Sequence, residues 1–393
     1  MSINLLTWEL GKNLGHVGRI SSIAQALNQQ GERVVLAARN LEGLDSIRSF
    51  DAIEFIPAPV QTSLPSHVFQ QPATFAHILH NVCFGEYEEA LTRVHQWRKI
   101  FGSVRPDVVV CDHSPTALLA ARSVEVPSVC VGTGFTCPPA VSPYPAWRKL
   151  SVADMAKLVE DEQRVLQLVN RILVACGSDE LAQLSDLYAE PTKTGLLTYP
   201  ELDHFGPRKD AKYWGLPRPD KAEPPDWPGG RGRRVFAYLR PCPILPELCR
   251  ALKQWQLTSI MYCPGLHRKS RAALGGEKLR LVDRPIDLTA AAAECDLFIG
   301  YGSHFSTTTM LLAGKPVLLL PSLAEQAILA LRVSRLGMGR MASQKPNQAS
   351  EALQAMLHDG RYRDRAEEFA QRHECEDRAT ILPRLAEYIS SLA

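Results

Sequence analysis

The stretch Gly300–Gln326, "GYGSHFSTTTMLLAGKPVLLLPSLAEQ", decides the fold. An apolar strand-like run, Asp296 to Ile299, breaks at Gly300-Tyr301-Gly302-Ser303, and a Ser/Thr-rich segment of helical character follows. Gly314-Lys315-Pro316 then opens a second apolar strand, which ends near Glu325-Gln326. At the helix start, Gly302, Ser303, Ser306 and Thr307 present backbone N–H groups and hydroxyls, a setting that favours an anion such as a diphosphate. An ordinary capped helix explains the same residues, because the string matches neither a Walker phosphate loop nor GxGxxG. Glu325 and Gln326 are equally suited to hydrogen-bonding a polyol or to starting a helix.

Outward from this stretch, apolar runs of strand length alternate with amphipathic segments. The first half carries "INLLTWE", "GRISSIAQALNQQG", "ERVVLAAR", "PDVVVCD", "TALLAARSVEV" and "PSVCVG"; the second carries "RVFAYL", "LTSIMYC", "KLRLVD", "CDLFIG" and "PVLLLP". Continuous Val/Ile/Leu runs separated by helices predict parallel strands covered on both faces. Between the halves, "HFGPRKDAKYWGLPRPDKAEPPDWPGGRGRR" (His204–Arg234) is rich in Pro, Gly and charge and reads as a semi-rigid linker. The expected class is α/β, with two doubly wound Rossmann-like domains facing across a cleft. The boundaries are 1–205, a linker at 206–232, and 233–393 with terminal helices able to pack back on the first domain. Open parallel sheets take ligands beyond their strand C-termini.

The chain has 393 residues, enough for two cores. Its composition, 45% hydrophobic and 22% charged, is that of a globular protein, and no run approaches the ~18 apolar residues of a membrane span. The net charge of +2, without a basic stripe interleaved with aromatics, gives no support to nucleic-acid binding. Ten cysteines without a CxxC pair suit reduced, packed thiols better than disulfides or zinc. "MSINLLTWEL" lacks a basic n-region and carries Glu9 where an export signal stays apolar, so it reads as a first core strand of a cytoplasmic protein. The helical segment Thr62–Phe101 holds His67, His77, His80 and His95. With no third ligand nearby, these read as surface or cleft-lining residues and no metal is expected.

"GKNLGHVGRISSIAQALNQQGERV" places Gly11, Gly15, His16 and Gly18 in the turn from the first strand to the first helix. His16 thus falls at the carboxyl edge, where a neutral imidazole can accept a proton. "PDVVVCDHSP" puts Asp112 at the end of another strand on the same edge, within reach to orient that ring. Packing of the turn by His16, with Asp112 capping the helix that follows, fits the spacing as well. "TCPPAVSPYPAWRKL" (Thr136–Leu150) is either an acceptor-lining or lipid-touching loop or a packed surface loop.

In order along most of the chain, these pieces resemble the GT-B glycosyltransferases of the UDP-glycosyltransferase type, which include macrolide, flavonoid and sterol glycosyltransferases. "GHVGRISSIAQALNQQGERV" is similar to the family opening GHxxP…AxxLxxxGHxV, and "PDVVVCDHSPTALLAA…VPSVCVG" to PDxVxxD…A…xxxxxPxV. "YPELDHF…YWGLP" resembles the approach to the family linker, and "YGSHFSTTTMLLAGKPVLLLPSLAEQ" the motif HGGxGTxxEALxxGxPxxxxPxxxDQ. The resemblance implies an inverting transferase in which His16 takes the proton of an acceptor hydroxyl and Asp112 is its partner acid, with His113 as a competing neighbour. It implies a nucleotide-diphosphate sugar as donor, no tightly bound cofactor, and a small-molecule acceptor. The resemblance places Gly302 to Thr307 on the diphosphate and Glu325 and Gln326 on the sugar; with Arg240, Arg284 and Tyr301 beside them, the expected donor-binding set of this chain is Arg240, Arg284, Tyr301, Gly302, Ser303, His304, Ser306, Thr307, Glu325 and Gln326.

The chain departs from that pattern at several places. Tyr301 replaces the diphosphate histidine, Thr309 the ribose-binding Glu, and Asp283 a base-stacking Trp, while Pro285 is kept. Arg240-Pro241 stands where Gly-Ser is usual, so a guanidinium, assisted by His304, is expected to meet the diphosphate charge. Two other outcomes stay open: a nucleotide-sugar epimerase or hydrolase, and a non-catalytic GT-B-like scaffold or auxiliary protein. Peripheral membrane contact and oligomeric state are left open by the sequence.

Overall fold

The computed structural model describes residues 2–11, 14–40, 53–148, 151–189, 192–219, 222–230, 232–345 and 347–393. The chain forms two compact units, Met1–Gly215 with Ala379–Ala393, and Leu216–Arg378.

In the first unit, the Val/Ile/Leu runs become β1 (Ile3–Trp8), β2 (Arg33–Ala38), β3 (Glu54–Pro57), β4 (Val108–Asp112), β5 (Ser128–Gly132) and β6 (Lys193–Leu196). Around them lie α1 (Leu14–Gln29), α2 (Phe75–Val82), α3 (Tyr87–Val104), α4 (Pro115–Ser123) and α5 (Val152–Ala175). All described pairings are parallel, in the order β3-β2-β1-β4-β5-β6. Every residue of β4 is buried, as expected for a central strand with helices over both faces.

The second unit repeats the plan with β7 (Arg234–Tyr238), β8 (Thr258–Tyr262), β9 (Leu279–Val282), β10 (Leu297–Gly300), β11 (Val317–Leu319) and β12 (Gly339–Met341). Its helices are α6 (Leu245–Gln254), α7 (Arg268–Leu274), α8 (Leu288–Glu294), α9 (His304–Leu312), α10 (Ala324–Arg335), α11 (Gln348–His358) and α12 (Arg361–Arg372). The sheet order is β12-β11-β10-β7-β8-β9. Counted from each unit's first strand, the first sheet runs 3-2-1-4-5-6, the Rossmann order, and the second runs 6-5-4-1-2-3, which is the same order viewed from the other edge. Each therefore has a switch point where successive crossovers leave in opposite directions, between β1 and β4 in the first unit and between β7 and β10 in the second. In open sheets of this order, ligands bind at such a point, beyond the carboxyl edge.

The last helix, α13 (Ile381–Ser390), belongs to the first unit. Its Ile381, Leu385 and Ile389 join Ile20, Ile23, Ala24 and Leu27 of α1 in one core, each of the larger side chains contributing roughly 1.5–3 kcal/mol on full burial. The Pro-rich stretch is bonded into a unit at each end. Trp214 N–H donates to the Leu196 carbonyl at 2.8 Å, and Asp287 N–H to the Glu223 carbonyl at 2.8 Å. Arg378 ties the two chain crossings by donating to the carbonyls of Leu216 (2.7 Å) and Pro217 (2.9 Å). Among the described residues, no helix is long and apolar enough to cross a membrane.

Candidate active site

β1 ends at Trp8 and α1 begins at Leu14, which puts His16 in the first helical turn; Asp112 is the last residue of β4, in register with Trp8. Topology thus brings both to the carboxyl edge at the first unit's switch point. His16 Nδ1 lies 3.0 Å from Asp112 Oδ1, and both side chains are buried. An ionised carboxylate only accepts, so Nδ1 donates to it, and in the neutral ring that leaves the lone pair on Nε2. Burial by itself would raise the Asp112 carboxyl, but Arg19 and then His16 outweigh it and hold the group below its ordinary range. Asp112 therefore orients His16 and does not cap α4, whose N-cap position is Ser114.

Three neighbours fix the imidazole. Trp8 and His113 stack against it with ring centroids at 6.1 and 5.8 Å. Gly11 has φ +88, and a Cβ there would sit 2.5 Å from His16 Nε2, so the atom left free for chemistry faces a glycine. His113 packs and does not compete for the carboxylate. Burial first, and the neighbouring His16 second, push its pKa down to about 3, which keeps it neutral, and its Nε2 is buried without a hydrogen-bond partner among the described residues. Its backbone is left-handed at φ 51, where His is tolerated better than most residues.

Glu9, two residues before Gly11, is buried against Arg93 at 2.7 Å. It also accepts from the Thr116 N–H at 3.0 Å, one of the unpaired donors in the first turn of α4. Burial pushes its carboxyl up, with Arg93 and Thr116 opposing. This ion pair anchors the loop that carries Gly11. The spacing of the sequence did not reveal it, nor Arg19, which donates to Asp112 Oδ1 at 2.8 Å. The one available signal for Arg19 was its position a turn after His16 on the same helix.

Most of the expected donor-binding set gathers at the carboxyl edge of the adjacent strands β7, β10 and β11. Tyr301 OH donates to the Arg240 carbonyl at 2.8 Å and accepts from the Arg240 N–H at 2.9 Å. Gly302 has φ +84, and a Cβ there would lie 2.9 Å from the Gln326 carbonyl oxygen, so the turn before α9 rests on the first turn of α10. Ser303 is the N-cap residue of α9, while His304, Ser306 and Thr307 are buried in its first turns. The Thr307 hydroxyl has no hydrogen-bond partner among the described residues. Glu325 and Gln326 open α10; Gln326 is buried, its Oε1 accepting from Ser322 N–H and Oγ at 3.0 and 3.2 Å. Thr309 directs its hydroxyl to the Phe305 carbonyl at 2.9 Å, within its own helix.

Arg284 stands apart from that gathering. It follows the edge strand β9, is exposed, and pairs with Glu223 at 3.3 Å. Asp283 pairs with Arg271, whose hydrogen bond holds its carboxyl below the ordinary range. Among the described residues, no group of three or more His, Cys, Asp or Glu is arranged to hold a metal ion.

Of the two readings of His77, surface or cleft-lining, the second holds: it lines a cavity with Phe69, Arg148 and Asp161. The ring is buried, its Nδ1 accepts from Ala73 N–H at 3.2 Å, and its Nε2 faces Asp161 Oδ2 at 3.1 Å. The partner is 84 residues away in the chain, beyond the reach of local spacing. Phe69 stacks on the ring at 3.8 Å. In the loop from Thr136, Tyr144 is buried and Trp147 Nε1 donates to the Pro72 carbonyl at 2.9 Å; Lys149 and Leu150 lie outside the described residues.

No protein-family model and no curated protein matches the chain. Solved structures do match over its whole length. The glycosyltransferase VinC in complex with DTDP aligns with a TM-score of 0.69 at 16% identity, covering 99% of each chain. The glycotransferase of kitacinnamycin gives 0.73 at 17%, covering 99% of this chain and 98% of the other. The glycosyltransferase SnogD from Streptomyces nogalater gives 0.62 at 19%, covering 99% of each. With identity this low and coverage this complete, the likeness is one of fold: the chain is built as a GT-B protein of two Rossmann-like units.

Proposed function

We propose that this protein is an inverting glycosyltransferase that moves a sugar from a nucleotide-diphosphate sugar to a hydroxyl of a small-molecule acceptor. The observation that carries the reading is the buried His16–Asp112 pair at 3.0 Å, with Nε2 on the far side of the ring facing Gly11. Nε2 takes the acceptor's proton, the acceptor oxygen attacks the anomeric carbon, and the nucleoside diphosphate leaves from the opposite face. Asp112 stabilises the imidazolium that forms. In the second unit the α9 start and Arg240 offset the diphosphate charge, while Glu325 and Gln326 hold the sugar hydroxyls. The DTDP in the VinC structure supports a nucleoside diphosphate as the leaving group. Ten unpaired cysteines support action in a reducing, cytoplasmic setting.

The test is His16→Ala assayed with a panel of nucleotide sugars and phenolic or macrolide acceptors. Turnover should be lost while thermal stabilisation by the matching nucleoside diphosphate persists. Near-normal turnover in the variant would refute the mechanism. Stabilisation by none of the uridine, thymidine, guanosine and adenosine diphosphates would favour a scaffold.

A further inference from the structure

Arg240 lies two residues past the end of β7 and Tyr301 one residue past the end of β10, on neighbouring parallel strands at the second unit's switch point. A phenol has one O–H to donate and lone pairs to accept. Here it uses both on a single residue, donating to the carbonyl of Arg240 at 2.8 Å and accepting from its N–H at 2.9 Å. The ring is half-buried against the second unit's core, alongside Cys242. Burial, followed by Cys242, pushes the hydroxyl well above the ordinary tyrosine value, so it remains a donor at any working pH. Pro241 restricts Arg240 further, because the residue before a proline is biased toward extended backbone.

The side chain of Arg240 is in the opposite situation. It is exposed, and its guanidinium forms no ion pair or hydrogen bond among the described residues. A fixed backbone bearing an uncommitted cation is prepared for a ligand, because the backbone share of that residue's ordering cost has been met before binding and only the side chain remains to be ordered. We propose that Tyr301 is a positioning residue that does not touch the nucleotide: its hydroxyl locks the backbone of Arg240 so that the guanidinium meets the diphosphate. The assignment rests on the reading of this edge as a nucleoside-diphosphate site.

A double-mutant cycle tests it, with UDP and dTDP titrated calorimetrically into wild type, Tyr301→Phe, Arg240→Ala and the double variant. Phenylalanine keeps the ring and its packing and removes only the hydroxyl. Arg240→Ala should weaken the better ligand by about ten- to a hundred-fold, the range for a charge-assisted hydrogen bond. Tyr301→Phe should weaken it several-fold when Arg240 is present and add nothing when it is combined with Arg240→Ala. An equal loss in both backgrounds would mean that Tyr301 meets the ligand directly, and no loss in either would mean that the lock is irrelevant; each overturns the proposal. Hydrogen exchange of the ligand-free peptide carrying Arg240 separates the two levels of the claim. It should quicken in Tyr301→Phe, and unchanged exchange overturns the lock by itself. If the wild type binds neither, GDP and ADP are titrated in their place, and failure to bind any of the four overturns the donor-site reading and the positioning role with it.

Discussion

Arg19 and His16 share one oxygen of Asp112, at 2.8 and 3.0 Å from Oδ1, while Oδ2 is buried without a hydrogen-bond partner among the described residues. The arginine keeps the carboxylate charged in a buried place, and the charged carboxylate fixes the tautomer of the histidine. The proposed catalytic arrangement is thus three residues deep, and each layer depends on the one behind it.

Asp112→Asn keeps the shape of this arrangement and removes its charge. An amide oxygen still accepts from Nδ1 but does not stabilise an imidazolium, so kcat should fall by about 10²–10⁴ with the fold retained. Steady-state kinetics beside circular dichroism check this. The stability profile should change as well. The folded carboxyl titrates below its ordinary value, so its stabilisation is present above the ordinary carboxylate range and is lost as pH falls through the folded value. The variant should lack that acid-side component.

Gly11→Ala places a methyl where His16 Nε2 now lies at 2.5 Å, on a backbone at φ +88. Both the contact and the left-handed conformation count against it. A loss of roughly 1–2 kcal/mol in stability and at least a tenfold drop in turnover are expected. Kinetics and thermal unfolding would show it, and wild-type turnover in a folded variant would mean that Nε2 is not the working atom.

His113→Asn addresses a half-buried neutral ring whose pKa is down at about 3 from 6.5. Between those values the unfolded chain binds a proton that the folded chain refuses. The wild type therefore loses stability as pH falls, by about 1.4 kcal/mol per unit from this group alone, and loses nothing from it above pH 6.5. Asparagine tolerates the left-handed backbone and does not titrate. Urea unfolding at pH 7 and pH 4.5 should show a shallower pH dependence in the variant, and an identical slope would count against the assignment.

Asp161→Asn separates structure from chemistry at the second buried His–Asp pair. Removing the charge opposite His77 should cost about 1–3 kcal/mol in stability and leave kcat near wild type. A collapse of kcat in a folded protein would move the base from His16 to His77.

The strands could be read from the sequence because buried parallel strands are written as runs such as "VVVCD" and "RVFAY", which need no partner to be recognised. His16 and Asp112, 96 residues apart, were legible together because each sits at or just beyond the end of such a run, and parallel topology sends both to one edge. Contacts between helices carry no such rule, which is why His77 and Asp161 were missed. Tyr301 and Arg240-Pro241 appeared as two separate departures from the family pattern. They are bonded to each other, but through the backbone of Arg240, and a backbone target leaves no signature in the side-chain sequence.

Gly302 bears on how readily this protein could be redirected to another donor. Its lack of a side chain lets the turn before α9 rest on the carbonyl of Gln326, so the segment assigned to phosphate and the segment assigned to sugar share a single seat. On the proposed reading, the two recognitions are not separately adjustable. Variants selected at Glu325 and Gln326 for a new sugar will also shift in nucleotide affinity, although no phosphate-facing residue has changed. A compensating change is best sought in the seat itself, along Ser322 and the first turn of α10.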